Sequence, residues 1–188
     1  MSLKLKIIIG STRPGRVGPK VASWVAEQAK ANGQFDVEMV DLAEIGLPLL
    51  DEASHPRLQN YQHEHTKTWA RIVDDADAYI FVTPEYNFFP PAGLINAIQV
   101  VMKEWAYKAA GVVSYGGISG GLRATQELRL LLSNMNVHAL PQTVPMPMVA
   151  QFIGEDGAIN ANAPMVEGMT LQLTELAKWA NALKPLRG

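Results

Sequence analysis

The chain has no cysteine in its 188 residues, which excludes a disulfide framework, a thiolate nucleophile and a cysteine-ligated metal. It also lacks an excess of either charge. Sixteen Lys and Arg against 18 Asp and Glu leave a formal net charge of −2, so no long-range field favours nucleic acid or an anionic membrane. No apolar run is long enough to span a bilayer, and residues 1–9 lack the apolar core of a secretory signal. A cytoplasmic location is therefore expected, with neither nucleic acid nor membrane as partner. Charged residues are sparse at 18%, while hydrophobic residues reach 48%, the balance of a chain that buries a core. No internal repeat or low-complexity tract divides it, and the length suits one domain over residues 1–188.

Short apolar runs alternate with stretches of helical period. Leu5–Ile9, Ala78–Val82 and Ala109–Ser114 read as strands buried on both faces. Phe35–Leu42 reads as a more exposed strand with Phe35, Val37 and Met39 on one face. Val137–Val144 reads as an edge strand, demoted by nearby prolines. Between them, helices are expected from Pro19 to Gly33, around Trp69, Ile72, Val73 and Ala76, from Leu94 through Trp105, over Leu122–Met135 and over Pro164–Lys184. Strands and helices in alternation imply an α/β fold with a doubly wound parallel sheet. The five-stranded form has strand order 2-1-3-4-5 and binds ligand at the carboxyl ends of strands 1, 3 and 4. Those ends open into GSTRPGRVG, TPEYNFFPP and SYGGISGG.

The first of these loops runs from a strand into a helix N-terminus, where unpaired N–H groups and the positive dipole end attract an anion. It is not a nucleoside triphosphate loop, because Arg16 and Val17 stand where Lys and Ser/Thr would be required after Gly10 and Gly15. It is not a dinucleotide fingerprint either, since Thr12 replaces the second glycine. What remains suits a single terminal phosphate: Ser11 and Thr12 bring hydroxyls, Arg13 and Arg16 bring charge, and Gly15 and Gly18 allow close backbone approach. In the second loop Tyr86 and Asn87 offer an aromatic face and an amide to a flat, polar-edged ring, with Phe88 and Phe89 as apolar rim.

GSTRPGR, TPEYNFFPPAGLINAIQ and YGGISGGLRA, in this order, resemble the NADPH-dependent FMN reductase family, over about residues 5–145. The resemblance implies a flavodoxin-like fold and an NAD(P)H-dependent enzyme of the quinone, azo-dye or chromate reductase type. FMN and NAD(P)H would be its cofactors. By the same resemblance Ser11, Arg13, Arg16, Val17 and Gly18 hold the FMN phosphate; Pro84, Glu85, Tyr86 and Asn87 line the isoalloxazine; Tyr115, Gly116 and Gly117 close over it. Arg16 and Gly18 depart from relatives that carry a serine and an asparagine there, and an extra guanidinium can replace those donors. The flavin performs the chemistry, so no catalytic acid or base is assigned. A small-molecule electron acceptor and a homodimer or homotetramer are expected. The alternative is a flavodoxin-type electron carrier that does not itself oxidise NAD(P)H.

Other features carry less. His63 and His65, two apart on a helix, point to different faces and suit no shared metal. Met146 and Met148 read as packing residues. Asp74, Asp75 and Asp77 crowd a helix C-terminus against its dipole.

Overall fold

The computed structural model describes residues 2–187. In chain order the elements are β1 (Leu3–Ile9), α1 (Gly18–Asn32), β2 (Phe35–Asp41), a single helical turn α2 (Leu42–Ile45), α3 (Glu64–Asp74), β3 (Ala78–Pro84), α4 (Ala92–Val100), β4 (Ala109–Tyr115), α5 (Leu122–Asn134), β5 (His138–Met146) and α6 (Ala163–Leu183). All strand pairs are parallel, in the order β2-β1-β3-β4-β5. β3 and β4 are buried along their whole length. Their alternate residues feed two cores: Ala78, Ile80 and Val82 pack with α1 and α6, whereas Tyr79 and Phe81 pack with α3, α4 and α5. This two-sided burial is why such strands read as unbroken apolar runs.

The edge strands depart from the sequence expectation. In β2, Phe35 and Val37 join the α1 side, but Met39 is 50% exposed and Val40 packs on the opposite face. The helical layer does not cover this end of an edge strand. In β5, Pro141 has no N–H to donate, and the β4–β5 register slips between Ala110 and Val112. Gln172 of α6 mends the gap. Its buried amide donates to the carbonyls of Val112 at 3.0 Å and Gln142 at 2.7 Å. Gly111 makes room, since a Cβ there would lie 2.7 Å from the Gln172 amide carbon.

The helix expected from Leu94 through Trp105 ends at Val100. Val101 is extended, and a short helical turn, Lys103–Trp105, folds Trp105 back. Its indole N–H then donates 3.0 Å to the Ile98 carbonyl, satisfying a helix-end acceptor in the core. Of the apolar residues on this segment, Leu94, Ala97, Ile98, Val100, Val101 and Trp105 are buried within the chain itself. The chain itself therefore covers most of the apolar surface of this segment.

The aspartates after α3 form a staple at the amino end of the sheet. Asp75 pairs with Lys4 and with Lys6 of β1. Asp77 accepts from the Lys4 amide at 3.0 Å, Lys184 at 3.0 Å and Arg187 at 2.9 Å. Buried Lys108 donates to the Val73 and Asp74 carbonyls, each at 2.8 Å, answering the dipole end directly. His63 and His65 also differ from expectation. Their rings stack at 5.1 Å because His63 lies at the cap, outside the helix. No cluster of three metal-ligating side chains occurs among the described residues.

Candidate functional site

The three distinctive loops emerge side by side from β1, β3 and β4 at the carboxyl end of the sheet. The first wraps the N-terminus of α1. Ser11 is fully buried and Gly18 buried, while Thr12, Arg13 and Gly15 are exposed. Arg13 makes no ion pair among the described residues. Arg16 is placed differently from Arg13. Its guanidinium forms a two-pronged pair with Asp41 at 2.7 and 2.6 Å and also donates to the Ser11 carbonyl at 2.8 Å. Asp41 in turn accepts from the Ala43 amide and starts α2. Arg16 thus braces the loop from behind, and Val17 is half-buried at the helix cap.

Two phenols converge on this loop. Tyr86, from the second loop, shares a 2.7 Å hydrogen bond with the Ser11 hydroxyl. Tyr115, the last residue of β4, is 95% buried by its 5% exposure, and its hydroxyl has no hydrogen-bond partner. Burial and the neighbouring Tyr86 phenol raise its pKa, against a smaller lowering by the nearby Ser11 side chain. The Gly18 backbone lies against it, since a Cβ at Gly18 would be 3.0 Å from the Tyr115 oxygen. A buried, unpartnered donor beside a helix N-terminus is costly unless something accepts from it. An anionic oxygen is the group that this donor set suits.

The second loop is a tight hairpin. Tyr86 and Phe89 exchange backbone hydrogen bonds at 2.9 and 3.1 Å, and the corner residues Asn87 and Phe88 have φ of 51° and 79°. Positive φ at both corners is the twist that joins two strands tightly. Asn tolerates it; Phe does not readily. Pro84 is buried at the end of β3 opposite Tyr115. Glu85 does not face the crevice with a free carboxylate. It accepts from the Arg123 side chain at 2.9 Å, the Ser119 hydroxyl at 3.1 Å and the Arg123 amide at 3.0 Å, and so caps α5. Burial works to raise its pKa, but those donors outweigh it and hold the carboxyl below its ordinary range.

The third loop is fixed from beneath. Met148 and Val149 donate to the carbonyls of Gly117 and Gly116 at 2.9 and 3.2 Å. A side chain at Gly117 would meet nothing within 4 Å, which leaves space for a flat group to approach the backbone. Met146 is buried in β5, whereas Met148 is half exposed beside this loop.

Together these features fit FMN. One end of the crevice offers Ser11, exposed Arg13, the α1 N-terminus and the orphaned Tyr115 hydroxyl to one phosphate. The other offers Tyr86, Asn87 and the open glycine loop to a ring. Three arrangements escaped the sequence reading: Asp41 as the partner of Arg16, Arg123 as the partner of Glu85, and the place of the Tyr115 hydroxyl against Gly18. Side-chain direction at the strand ends decides all three, and spacing does not carry that signal.

Comparison with known proteins agrees. Residues 3–151 match the family described as NADPH-dependent FMN reductase. An NAD(P)H-dependent FMN reductase of Schizosaccharomyces pombe is 42% identical over 181 residues, covering 93% of this chain and 86% of its own length. A quinone reductase of Pseudomonas putida is 29% identical over 165 residues, covering 82% and 83%. Among solved structures, FerB, a flavoenzyme NAD(P)H:(acceptor) oxidoreductase of Paracoccus denitrificans, superposes with a TM-score of 0.73 at 20% identity, covering 96% and 98%; it supports the flavodoxin-like fold. On its sequence, its fold and the three loops that meet at the sheet's carboxyl end, the chain belongs to the NADPH-dependent FMN reductase family.

Proposed function

We propose that the protein oxidises NAD(P)H and reduces an uncharged, quinone-like small molecule. Two electrons and a proton leave the dihydronicotinamide as hydride; with one further proton from water they convert the quinone to its quinol. FMN, when bound, supplies the hydride- and electron-transfer chemistry, and the protein supplies anchorage, orientation and an exclusive place to react. Ser11, Arg13, the backbone of Val17 and Gly18, and the Tyr115 hydroxyl would hold its phosphate, while Arg16 shapes the loop through Asp41. Pro84, Tyr86 and Asn87 would line the ring with Gly116 and Gly117, and Glu85 ties these two loops together. The single observation that carries the reading is the unpartnered Tyr115 hydroxyl beside the α1 N-terminus. The quinone reductase relative supports the acceptor class.

We propose a homodimer or homotetramer with it. The surface in question is an apolar groove of about 670 Å³ between α4 and α5, lined by Phe89, Ile95, Leu128, Leu130 and Leu131. A cytoplasmic setting is part of the same reading; among the described residues no helix is long and apolar enough to cross a membrane. Anaerobic mixing of the FMN-loaded protein with NADPH tests the activity. The visible flavin absorption should bleach, and naphthoquinone should restore it. Absorption that persists under NADPH, yet is lost with dithionite, makes the protein an electron carrier instead.

A further inference from the structure

The hairpin after β3 holds a bulky aromatic where glycine is the comfortable residue. Phe88 sits at φ 79° with 57% of its surface exposed. A strained backbone of this kind persists only when its surroundings fix it, and it concentrates where function needs a particular presentation. The surroundings here are explicit. The Arg123 guanidinium lies over the Phe88 ring, 4.5 Å from its centroid. The same guanidinium is held at 2.9 Å by Glu85, whose carboxylate is 9% exposed and bound to the N-terminus of α5 and to Ser119. One face of Phe88 is therefore clamped against a cation, and the ring remains largely open to solvent at the edge of the crevice.

We infer that Phe88 is the stacking platform for the electron acceptor and that Arg123 and Glu85 are its positioning residues. This rests on the quinone-reductase reading above. The charge balance names the acceptor class. A free guanidinium at the rim would select anionic acceptors, but Glu85 neutralises Arg123, so the platform presents an aromatic face without net charge. A flat, uncharged quinone meets it by offset stacking. The Tyr86 end of the hairpin is engaged at Ser11 on the phosphate side, which leaves the Phe88 corner to a second flat molecule.

The test uses the FMN-loaded protein and Phe88→Gly. Glycine suits φ 79°, so the variant keeps the turn and loses only the ring. Naphthoquinone binding to the oxidised protein, read from perturbation of the visible flavin spectrum, should weaken about ten-fold or more. Its KM should rise alike with kcat little changed, whereas reoxidation by ferricyanide, an octahedral anion with nothing to stack, should be unaffected. Phe88→Tyr should restore quinone binding. Glu85→Gln, which frees the Arg123 charge, should shift preference toward a sulfonated naphthoquinone. Unchanged naphthoquinone affinity in Phe88→Gly overturns the inference while leaving the activity intact. A matching loss of FMN affinity also overturns it, by showing that the ring serves the cofactor. A parent protein that naphthoquinone does not reoxidise sinks the acceptor reading itself, and the platform with it.

Discussion

Tyr115 carries a hydroxyl that the folded chain buries without a partner, and such a group makes opposite demands on the free and the loaded protein. Tyr115→Phe removes the orphan, so the FMN-free protein should unfold at an equal or higher urea concentration. The same change should weaken FMN binding by about 1.5–3 kcal/mol, roughly ten- to a hundred-fold, while riboflavin, which lacks the phosphate, binds both proteins alike. Arg13→Ala should cost FMN affinity to a similar extent, but with a difference in salt. Arg13 is exposed, so its contribution should shrink as ionic strength rises, and that of the buried phenol should not. Equilibrium dialysis at low and high salt separates the two. The exposed position of Arg13 was legible in the sequence, because polar residues of a loop before a helix stay at the surface. The Tyr115 hydroxyl was not, because spacing assigns a residue to a loop and only the strand's last pleat tells which way it points.

At the level of elements, periodicity specified all five strands and the long helices, since two-sided burial and a 3.6-residue stripe both leave a mark on composition. It failed where side chains substitute for backbone. The α4 stripe continues to Trp105 in the sequence although the helix stops at Val100, because the indole N–H takes over a helix-end carbonyl. Nothing at Gln172 announces that its amide stands in for the missing ladder bonds beside Pro141. The pairing with Gly111 is testable. Gly111→Ala should displace that amide and cost about 1–3 kcal/mol, chiefly by stranding the Val112 and Gln142 carbonyls. Gln172→Ala should cost a similar amount, and the double variant should cost clearly less than the sum, because each change removes what the other needs. Urea unfolding of the four proteins gives the cycle.

The whole molecule has its ionic staple at one end of the sheet and its crevice at the other. Asp77 is raised by burial but lowered more by its donors, Lys4, Lys184 and Arg187, and Asp75 is lowered by Lys4 and Lys6. Carboxyls so depressed add stability that is fully present above the unfolded value of 3.8 and is lost as pH falls through their folded values. Urea midpoints should thus drop steeply below that pH, and Asp77→Asn should flatten the drop. At neutral pH this variant should lose about 1.5–3 kcal/mol, or roughly 3–12 °C in Tm. Lys108 acts at the alkaline side: burial lowers its pKa to about 8. Between that value and the unfolded 10.5 the unfolded chain holds more protons, so this residue's contribution makes stability rise with pH. Light scattering at micromolar concentration checks the proposed dimer, and Leu130→Glu in the α4–α5 groove should yield monomer. The sequence showed the three aspartates as an unexplained crowd, since the partners of Asp75 and Asp77 come from β1 and from residues after α6, and Lys108, which meets the Asp74 carbonyl, comes just before β4, all far off in sequence. The staple has one more consequence. Seven-residue strands separate it from the Phe88 hairpin by about 20 Å, with no shared side-chain partner. Energies of changes made at the two ends should therefore add, within about 0.5 kcal/mol. Directed evolution of acceptor preference around Phe88 can then draw on stability introduced at the amino end, with neither property tuned at the expense of the other.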